Sequence, residues 1–267
     1  MARELRRLLI SPERLPSECL GVGDSLQALE LEPAERHYLS RVLRLRPGDR
    51  FAVTDGAGRL WSAQLAEAGA VLEQPVAQPL ETQSPPSPPL TLAVAMPKRD
   101  GEVMARMACE LGIDALLPVL ADRSSTGERL RSDRLEAILR EAAEQCERLW
   151  LPALLPLQPA HTLLTAAPVG VGLLATTRAE GLPLLDGVLT ALENEPEQPW
   201  RQGVTLAIGP EGGWSQGEEA QALAAGWRPV SLGPTILRVS TAAVAGTAAL
   251  VRWRLGLTCP SCSSPSP

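Results

Sequence analysis

Aromatic side chains are scarce in this 267-residue chain: 3% of residues, with one tyrosine, one phenylalanine and six tryptophans. A surface that reads nucleic acid by stacking successive bases on aromatic rings is therefore not expected. Histidine is rarer still, and His37 and His161 lie far apart. A Ser-His-Asp triad would have to take His161 as its base, after a run of prolines, and is poorly supported. The chain has no HExxH, no paired Cys/His set and no GxxxxGK[ST], so metal hydrolase and P-loop chemistry are not expected, nor is a bound metal. No GxGxxG follows the first strand of the second piece, which argues against a dinucleotide site. No apolar stretch approaches the roughly 20 residues of a membrane-spanning helix. The start, Met1-Ala-Arg-Glu-Leu-Arg-Arg, lacks the apolar core of a signal peptide. The five cysteines, Cys19, Cys109, Cys146, Cys259 and Cys262, are odd in number and scattered. They suggest reduced thiols and a cytoplasmic protein. Cys259-x-x-Cys262 is half of a metal knuckle without a second half.

Positive charge is also short: 25 Lys and Arg against 31 Asp and Glu, a net charge of −6. A basic coat for indiscriminate nucleic-acid binding is excluded. A local patch is not. Arg3, Arg6, Arg7, Arg36, Arg41, Arg44, Arg46 and Arg50 crowd the first fifty residues, interspersed with Glu4, Glu32, Glu35 and Asp49. Charge pattern alone leaves two readings open, a basic patch or an ordinary solvated surface.

What the chain does have is material for a core, with 45% apolar and 21% charged residues. The segment Glu81-Thr-Gln-Ser-Pro-Pro-Ser-Pro-Pro89 reads as a stiff linker. It divides the chain into a first piece over 1–80, the linker over 81–89, a larger body over 90–257 and a disordered Ser/Pro tail over 258–267. In the first piece, Arg50–Thr54 and Leu60–Leu65 alternate around a turn at Asp55-Gly56 and Gly58, which predicts a β-hairpin. Glu32–Leu43 reads as a short helix with Leu39, Val42 and Leu43 on one face. A small β-barrel with one helix follows.

The body alternates strand and helix. Leu90–Met96, Ala115–Leu120, Gly170–Thr177, Val204–Ile208 and Arg228–Leu232 are apolar runs suited to strands covered on both faces. Helices are expected over Glu102–Leu111, ending at Gly112, and over Asp133–Cys146 after an N-cap at Ser132. Two more follow over Gln216–Ala225 and Thr241–Leu255. The alternation predicts an α/β fold with a mostly parallel sheet. The Ala- and Gly-rich helix after Thr241 suits tight packing in a core, or packing against a symmetry mate.

The densest signal is Leu206-Ala-Ile-Gly-Pro-Glu-Gly-Gly-Trp-Ser215. A buried strand meets a glycine turn, then a helix that begins at the capping box Ser215-Gln-Gly-Glu218. Such strand-to-helix turns are where open α/β sheets bind ligands. A second Gly-Pro turn lies at Leu232-Gly233-Pro234. Arg238 leaves an apolar segment just before a helix N-terminus. It can hold a phosphate or a developing anion, or simply pair with Glu211. With few charges, the site suits a ligand read by an adenine edge and a ribose rather than a triphosphate.

Ile208-Gly-Pro-Glu-Gly-Gly-Trp-Ser215 through Glu218, followed by Leu232-Gly-Pro-Thr-Ile-Leu-Arg238 through Ala242, resembles the signature of the SPOUT RNA methyltransferases. The likeness is closest to the ribosomal RNA small subunit methyltransferase E family, which methylates N3 of a uridine in 16S ribosomal RNA. It extends to Glu110-Leu-Gly-Ile-Asp-Ala-Leu-Leu-Pro118, Glu141-Ala-Ala-Glu-Gln-Cys-Glu-Arg148 and Arg41-Val-Leu-Arg-Leu-Arg-Pro-Gly-Asp49. The resemblance implies a PUA-like β-barrel that helps hold RNA, with Arg36, Arg41, Arg44 and Arg46 as its candidate contacts. It also implies a SPOUT α/β domain with a trefoil knot, a homodimer, and S-adenosylmethionine as cofactor. The cofactor site maps to Leu174, Ala175 and Thr176, to Ile208, Gly209, Pro210, Glu211, Gly212 and Gly213, and to Leu232, Gly233, Ile236 and Leu237. Arg238 and Glu211 are the candidate catalytic residues. The partner would be 16S ribosomal RNA within the small subunit, with no membrane involved. Family members commonly carry Glu where this chain has Ser240. The alternatives are another RNA target on the same fold, such as a ribose 2′-O, or a catalytically weak RNA-binding paralogue.

Overall fold

The computed structural model describes residues 5–16, 27–124, 131–177 and 181–258. Cys19, the Cys259–Cys262 pair and the expected tail beyond Thr258 lie outside the described residues. The chain divides into two compact units. One comprises Met1–Pro85 together with Arg140–Leu151; the other comprises Pro86–Leu139 and Pro152–Pro267. No helix among the described residues is long and apolar enough to cross a membrane.

The first unit is built on a six-stranded sheet with β1 (Arg7–Leu9), β2 (Gln27–Leu29), β3 (Arg50–Thr54), β4 (Arg59–Leu65), β5 (Ala70–Leu72) and β6 (Glu81–Thr82). The order is β1-β3-β4-β5-β2, with β6 added beside β4. The β3–β4 hairpin forms where the alternation places it. Its turn is held by Asp55, whose carboxylate accepts the Ala57 N–H at 2.8 Å, the Arg59 N–H at 3.0 Å and Arg59 Nε at 2.6 Å. Phe51, Val53, Trp61 and Ala63 enter one core. The alternate residues Ala52 and Leu60 are equally buried, against Leu149 with Trp150 and Leu5. Both faces of the hairpin are thus dry, because Arg140–Leu151 supplies the second cover. Glu81–Thr82, expected as linker, is instead a strand of this sheet.

The predicted helix Glu32–Leu43 is corrected by the structure. A short α-helix, α1 (Pro33–His37), passes into a wider π turn over Tyr38–Val42, in which Leu43 N–H donates to the Tyr38 carbonyl. The wider turn shifts the helical register. Leu39 stays buried, whereas Val42 turns outward and is 60% exposed.

The second unit carries a seven-stranded sheet in which every pairing is parallel. Its strands are β7 (Leu90–Val94), β8 (Ala115–Leu120), β9 (Ala153–Leu154), β10 (Gln158–Pro159), β11 (Val171–Ala175), β12 (Val204–Ile208) and β13 (Arg228–Val230). The order is β10-β8-β7-β12-β11-β13, with β9 beside β8. Helices α2 (Gly101–Leu111), α5 (Leu185–Glu193) and α7 (Val239–Thr258) pack together, as do α4 (Ala160–Thr165) and α6 (Gln216–Ala224). The remaining helix, α3 (Ser132–Gln145), continues from Arg140 onward into the first unit. Gly112 ends α2 in the left-handed region, φ 114°, as its position predicts. The Ala/Gly helix buries Val239, Ala242, Ala243, Thr247, Leu250 and Val251 along one face. Its Gly246 touches Leu206 so closely that a Cβ would fall 2.4 Å from a Leu206 methyl.

Strands β7, β11 and β13 stop short of their predicted C-terminal ends. The apolar runs continue there, but the strands give way to loops, and the stretches beyond β11 and β13 line the site.

Candidate cofactor site at the carboxyl ends of the parallel strands

Strands β11 and β12 are hydrogen-bonded neighbours, and they end side by side at Ala175 and Ile208. Beyond these ends lies a cavity with about 770 Å³ of empty volume, part of it open to solvent. Its walls come from three stretches of chain: Ala175–Thr177, the Ile208–Trp214 loop and the Leu232–Val239 loop.

The first glycine loop is a fixed structure. Gly213 N–H donates to the Pro210 carbonyl at 2.8 Å, with Gly213 at φ 70°, a conformation that favours glycine. Gly209 lies against the Trp214 ring, where a Cβ would come within 3.0 Å. Trp214 Nε1 donates to the Ala175 carbonyl at 3.1 Å, tying this loop to the end of β11. The predicted capping box is present. Ser215 Oγ accepts the Glu218 N–H at 3.2 Å, and Glu218 Oε2 accepts the Ser215 N–H at 2.7 Å. Glu218 is buried, and its other oxygen takes the Asp122 N–H at 2.9 Å.

The second loop is held at its base by Ser231, whose hydroxyl accepts the Gly233 N–H at 3.2 Å and donates to the Gly233 carbonyl at 3.1 Å. Ile236 lines the cavity yet is 78% exposed. Such an apolar side chain gains burial only when something fills the space beside it. On the opposite wall, Thr176 Oγ1 donates to Glu219 at 2.6 Å. Glu211 and Glu219 place two carboxylates in the lining, and among the described residues no lysine or arginine lines it.

Most of the sequence-predicted cofactor residues meet here: Ala175 and Thr176; Ile208, Gly209, Pro210, Glu211 and Gly213; Leu232, Gly233, Ile236 and Leu237. Two do not line the cavity. Leu174 is buried in the core beneath it, because alternate residues of a strand point to opposite faces. Gly212 directs its carbonyl to Arg123. Thr235, within the Leu232–Leu237 stretch, lines the cavity as well; Thr177, Trp214, Glu219, Val239 and Ala242 also line it and were not predicted. Trp214 and Val239 adjoin the motif residues and were within reach of that reading. Glu219 lies one turn into α6 and carries no signal of its own.

Arg238 stands immediately before α7 and is exposed. Among the described residues it makes no ion pair, so the pairing with Glu211 considered from the sequence is not formed. Its carbonyl accepts the Ala242 N–H at 2.8 Å. In the first unit, Arg36, Arg41, Arg44 and Arg46 are all exposed. The neighbouring acids are engaged elsewhere. Glu32 and Glu35 pair with Arg14, at 3.2 and 2.5 Å, and Asp49 accepts the backbone N–H of Arg46 at 2.7 Å. The guanidinium of Arg36 donates to the Glu67 carbonyl at 2.6 Å.

Residues 84–251 match the RNA methyltransferase domain family, and residues 31–70 match the RNA methyltransferase PUA domain. The chain is 39% identical over 249 residues to ribosomal RNA small subunit methyltransferase E of Synechocystis sp., covering 88% of this chain and 74% of that protein. Among solved structures it resembles ribosomal RNA small subunit methyltransferase E of Neisseria gonorrhoeae bound to S-adenosyl methionine. There the TM-score is 0.70 at 26% identity, covering 92% of this chain and 96% of that one. A putative methyltransferase of Legionella pneumophila in complex with bound S-adenosyl methionine gives a TM-score of 0.73 at 25% identity, with the same coverage.

Proposed function

The chain belongs to the ribosomal RNA small subunit methyltransferase E family, and from that membership we propose that it methylates N3 of a uridine in 16S ribosomal RNA, with S-adenosylmethionine as methyl donor. One observation carries the reading. Two Gly-Pro loops from separate parts of the sequence meet over a single cavity at the carboxyl ends of β11 and β12.

The residues present fit the cofactor. Apolar walls at Leu232, Ile236 and Leu237 suit an adenine ring, and backbone groups of Ile208–Gly213 suit its edge and ribose. Carboxylates at Glu211 and Glu219 favour a positively charged ligand over a triphosphate. When bound, S-adenosylmethionine supplies a methyl group already activated by its sulfonium.

Uracil N3 is a weak nucleophile while it holds its proton. Its loss leaves an anion spread over N3 and the two ring carbonyl oxygens. Arg238, exposed beside the second loop and free of an ion pair among the described residues, is assigned to stabilise that anion. Glu211, on the cavity rim, orders the glycine loop and assists. In the first unit, Arg36, Arg41, Arg44 and Arg46 hold the RNA backbone, since the adjacent acids are already engaged. The protein works in the cytoplasm as a homodimer on RNA of the small subunit. The interleaved order β7-β12-β11-β13 suits a chain threaded as a trefoil knot.

The test is to map modified uridines in 16S ribosomal RNA from cells with and without this protein. A single N3-methyluridine that disappears with the gene and returns with it is expected. An unchanged map, or a lost ribose methylation instead, would defeat the assignment.

A further inference from the structure

We propose that Arg123 is a positioning residue that holds the cofactor loop in its binding shape from outside the cavity; this rests on the function proposed above. Arg123 follows β8, in a tight turn in which Ser124 N–H donates to the Ala121 carbonyl and Ser124 Oγ accepts the Ala121 N–H, both at 2.9 Å. Strand β8 is not a neighbour of β12; β7 lies between them. The turn nonetheless reaches across to the loop that leaves β12. Arg123 Nη1 donates to the Gly212 carbonyl at 2.9 Å and to the Trp214 carbonyl at 3.2 Å. Beside it, Asp122 accepts the Ser215 hydroxyl at 2.6 Å and gives its own N–H to buried Glu218.

The geometry divides the loop into two sides. Gly209, Pro210, Glu211 and Gly213 face the cavity, while the carbonyls of Gly212 and Trp214 are held by one guanidinium nitrogen. Hydrogen bonds from a charged donor are about twice as strong as neutral ones, and the planar guanidinium fixes their directions. The identity of residue 212 belongs to the same device. A Cβ there would come 3.1 Å from Arg123 Cβ and 3.2 Å from its Cδ. Gly212 is therefore small so that the arginine stem can lie flat on the loop, and not because it lines the cavity. A loop already ordered spends less of its binding energy on ordering when the cofactor arrives.

Four variants and three readouts test this. In Arg123→Ala without cofactor, amides of residues 211–215 should exchange with solvent roughly tenfold faster or more, from the loss of charge-assisted bonds. The same variant should bind S-adenosylmethionine roughly tenfold more weakly, by calorimetry, and its KM for the cofactor should rise more than kcat falls. Arg123→Lys should recover part of both losses. Gly212→Ala should reproduce them, and the double variant Arg123→Ala/Gly212→Ala should be no worse than either single change. Unchanged loop exchange in Arg123→Ala would overturn the clamp whatever the ligand is. Additive losses in the double variant would overturn the shared device. Failure of the unaltered protein to bind S-adenosylmethionine would instead strike the proposed function, while the exchange measurement still decides the clamp.

Discussion

Burial and hydrogen bonding act in opposite directions on Glu144. Its Oε1 accepts the Leu9 N–H at 2.8 Å, and Arg140, one turn earlier, donates to the Leu9 carbonyl at 2.9 Å. Together they cover the outer edge of β1, the end strand of its sheet. Burial prevails and pushes the carboxyl from 4.5 up to about 7, opposed by the Leu9 N–H and Arg140 and reinforced by Glu141 and Glu35. A carboxyl whose pKa is higher folded than unfolded favours the protonated, folded state. Its contribution is complete below about pH 4.5 and is lost as pH rises through about 7. Glu144→Gln should therefore flatten the fall in stability between pH 5 and 8, by up to roughly 3 kcal/mol. Urea denaturation at several pH values reads this, and an unchanged slope would remove Glu144 from the account. Arg238 makes the chemical prediction. Arg238→Ala should lower kcat by roughly 100-fold or more, the scale for losing a group that stabilises transition-state charge. S-adenosylmethionine affinity should stay within about twofold, because the side chain does not line the cavity. Single-turnover assays and calorimetry separate the two, and full activity in the variant would refute the role.

Helix α6 and its preceding turn show how a local motif becomes a wall of a site. The Ser-x-x-Glu spacing already specified the N-cap, and Ser215 and Glu218 form it reciprocally. What spacing could not indicate is that the same two side chains also hold the turn after β8, through Asp122. Ser215→Ala thus removes a cap and a second hydrogen bond. It should cost about 1–2 kcal/mol, the upper half of the range for N-cap loss. In a unit of this size that lowers Tm by a few degrees, on the order of 2–4 °C per kcal/mol. A thermal scan showing no shift would mean that water replaces both bonds. Other elements were less legible. Glu32–Leu43 carries a helical pattern, but the π turn rotates Val42 into solvent, and no periodicity signals an inserted residue. The short strands β9 and β10 escape detection because two residues show no period at all.

At the scale of the molecule, the proline segment near residue 85 marks where the chain leaves its first unit. Arg140–Leu151 returns to that unit from far along the sequence, and its Leu149 and Trp150 cover the second face of the β3–β4 hairpin. Linear composition cannot announce such a return. The proposed homodimer belongs to this scale too. Between α5 and α7 runs a groove with Ala245, Ala248, Ala249 and Gly256 along one side, where backbones can approach closely. Ala249→Arg should convert a dimer into a monomer in sedimentation experiments and reduce activity with it. A variant that sediments as the unaltered protein does would place the interface elsewhere.

The sequence by itself determined the hairpin, the parallel α/β body, the glycine loop with its capped helix, and the family. All of these rest on short-range regularities: a period of two, continuous apolar runs, and glycine or a cap at a fixed offset. Tertiary structure alone decided the rest. It withdrew Leu174 from the cavity, because a strand's alternation puts that side chain in the core. It added Glu219 to the lining and left Arg238 outside it. It set Arg123 on the back of the loop, where contacts spanning about ninety residues of sequence join groups with no local mark of each other. Burial and long-range hydrogen bonding depend on which surfaces meet, and that is settled only when the whole chain packs.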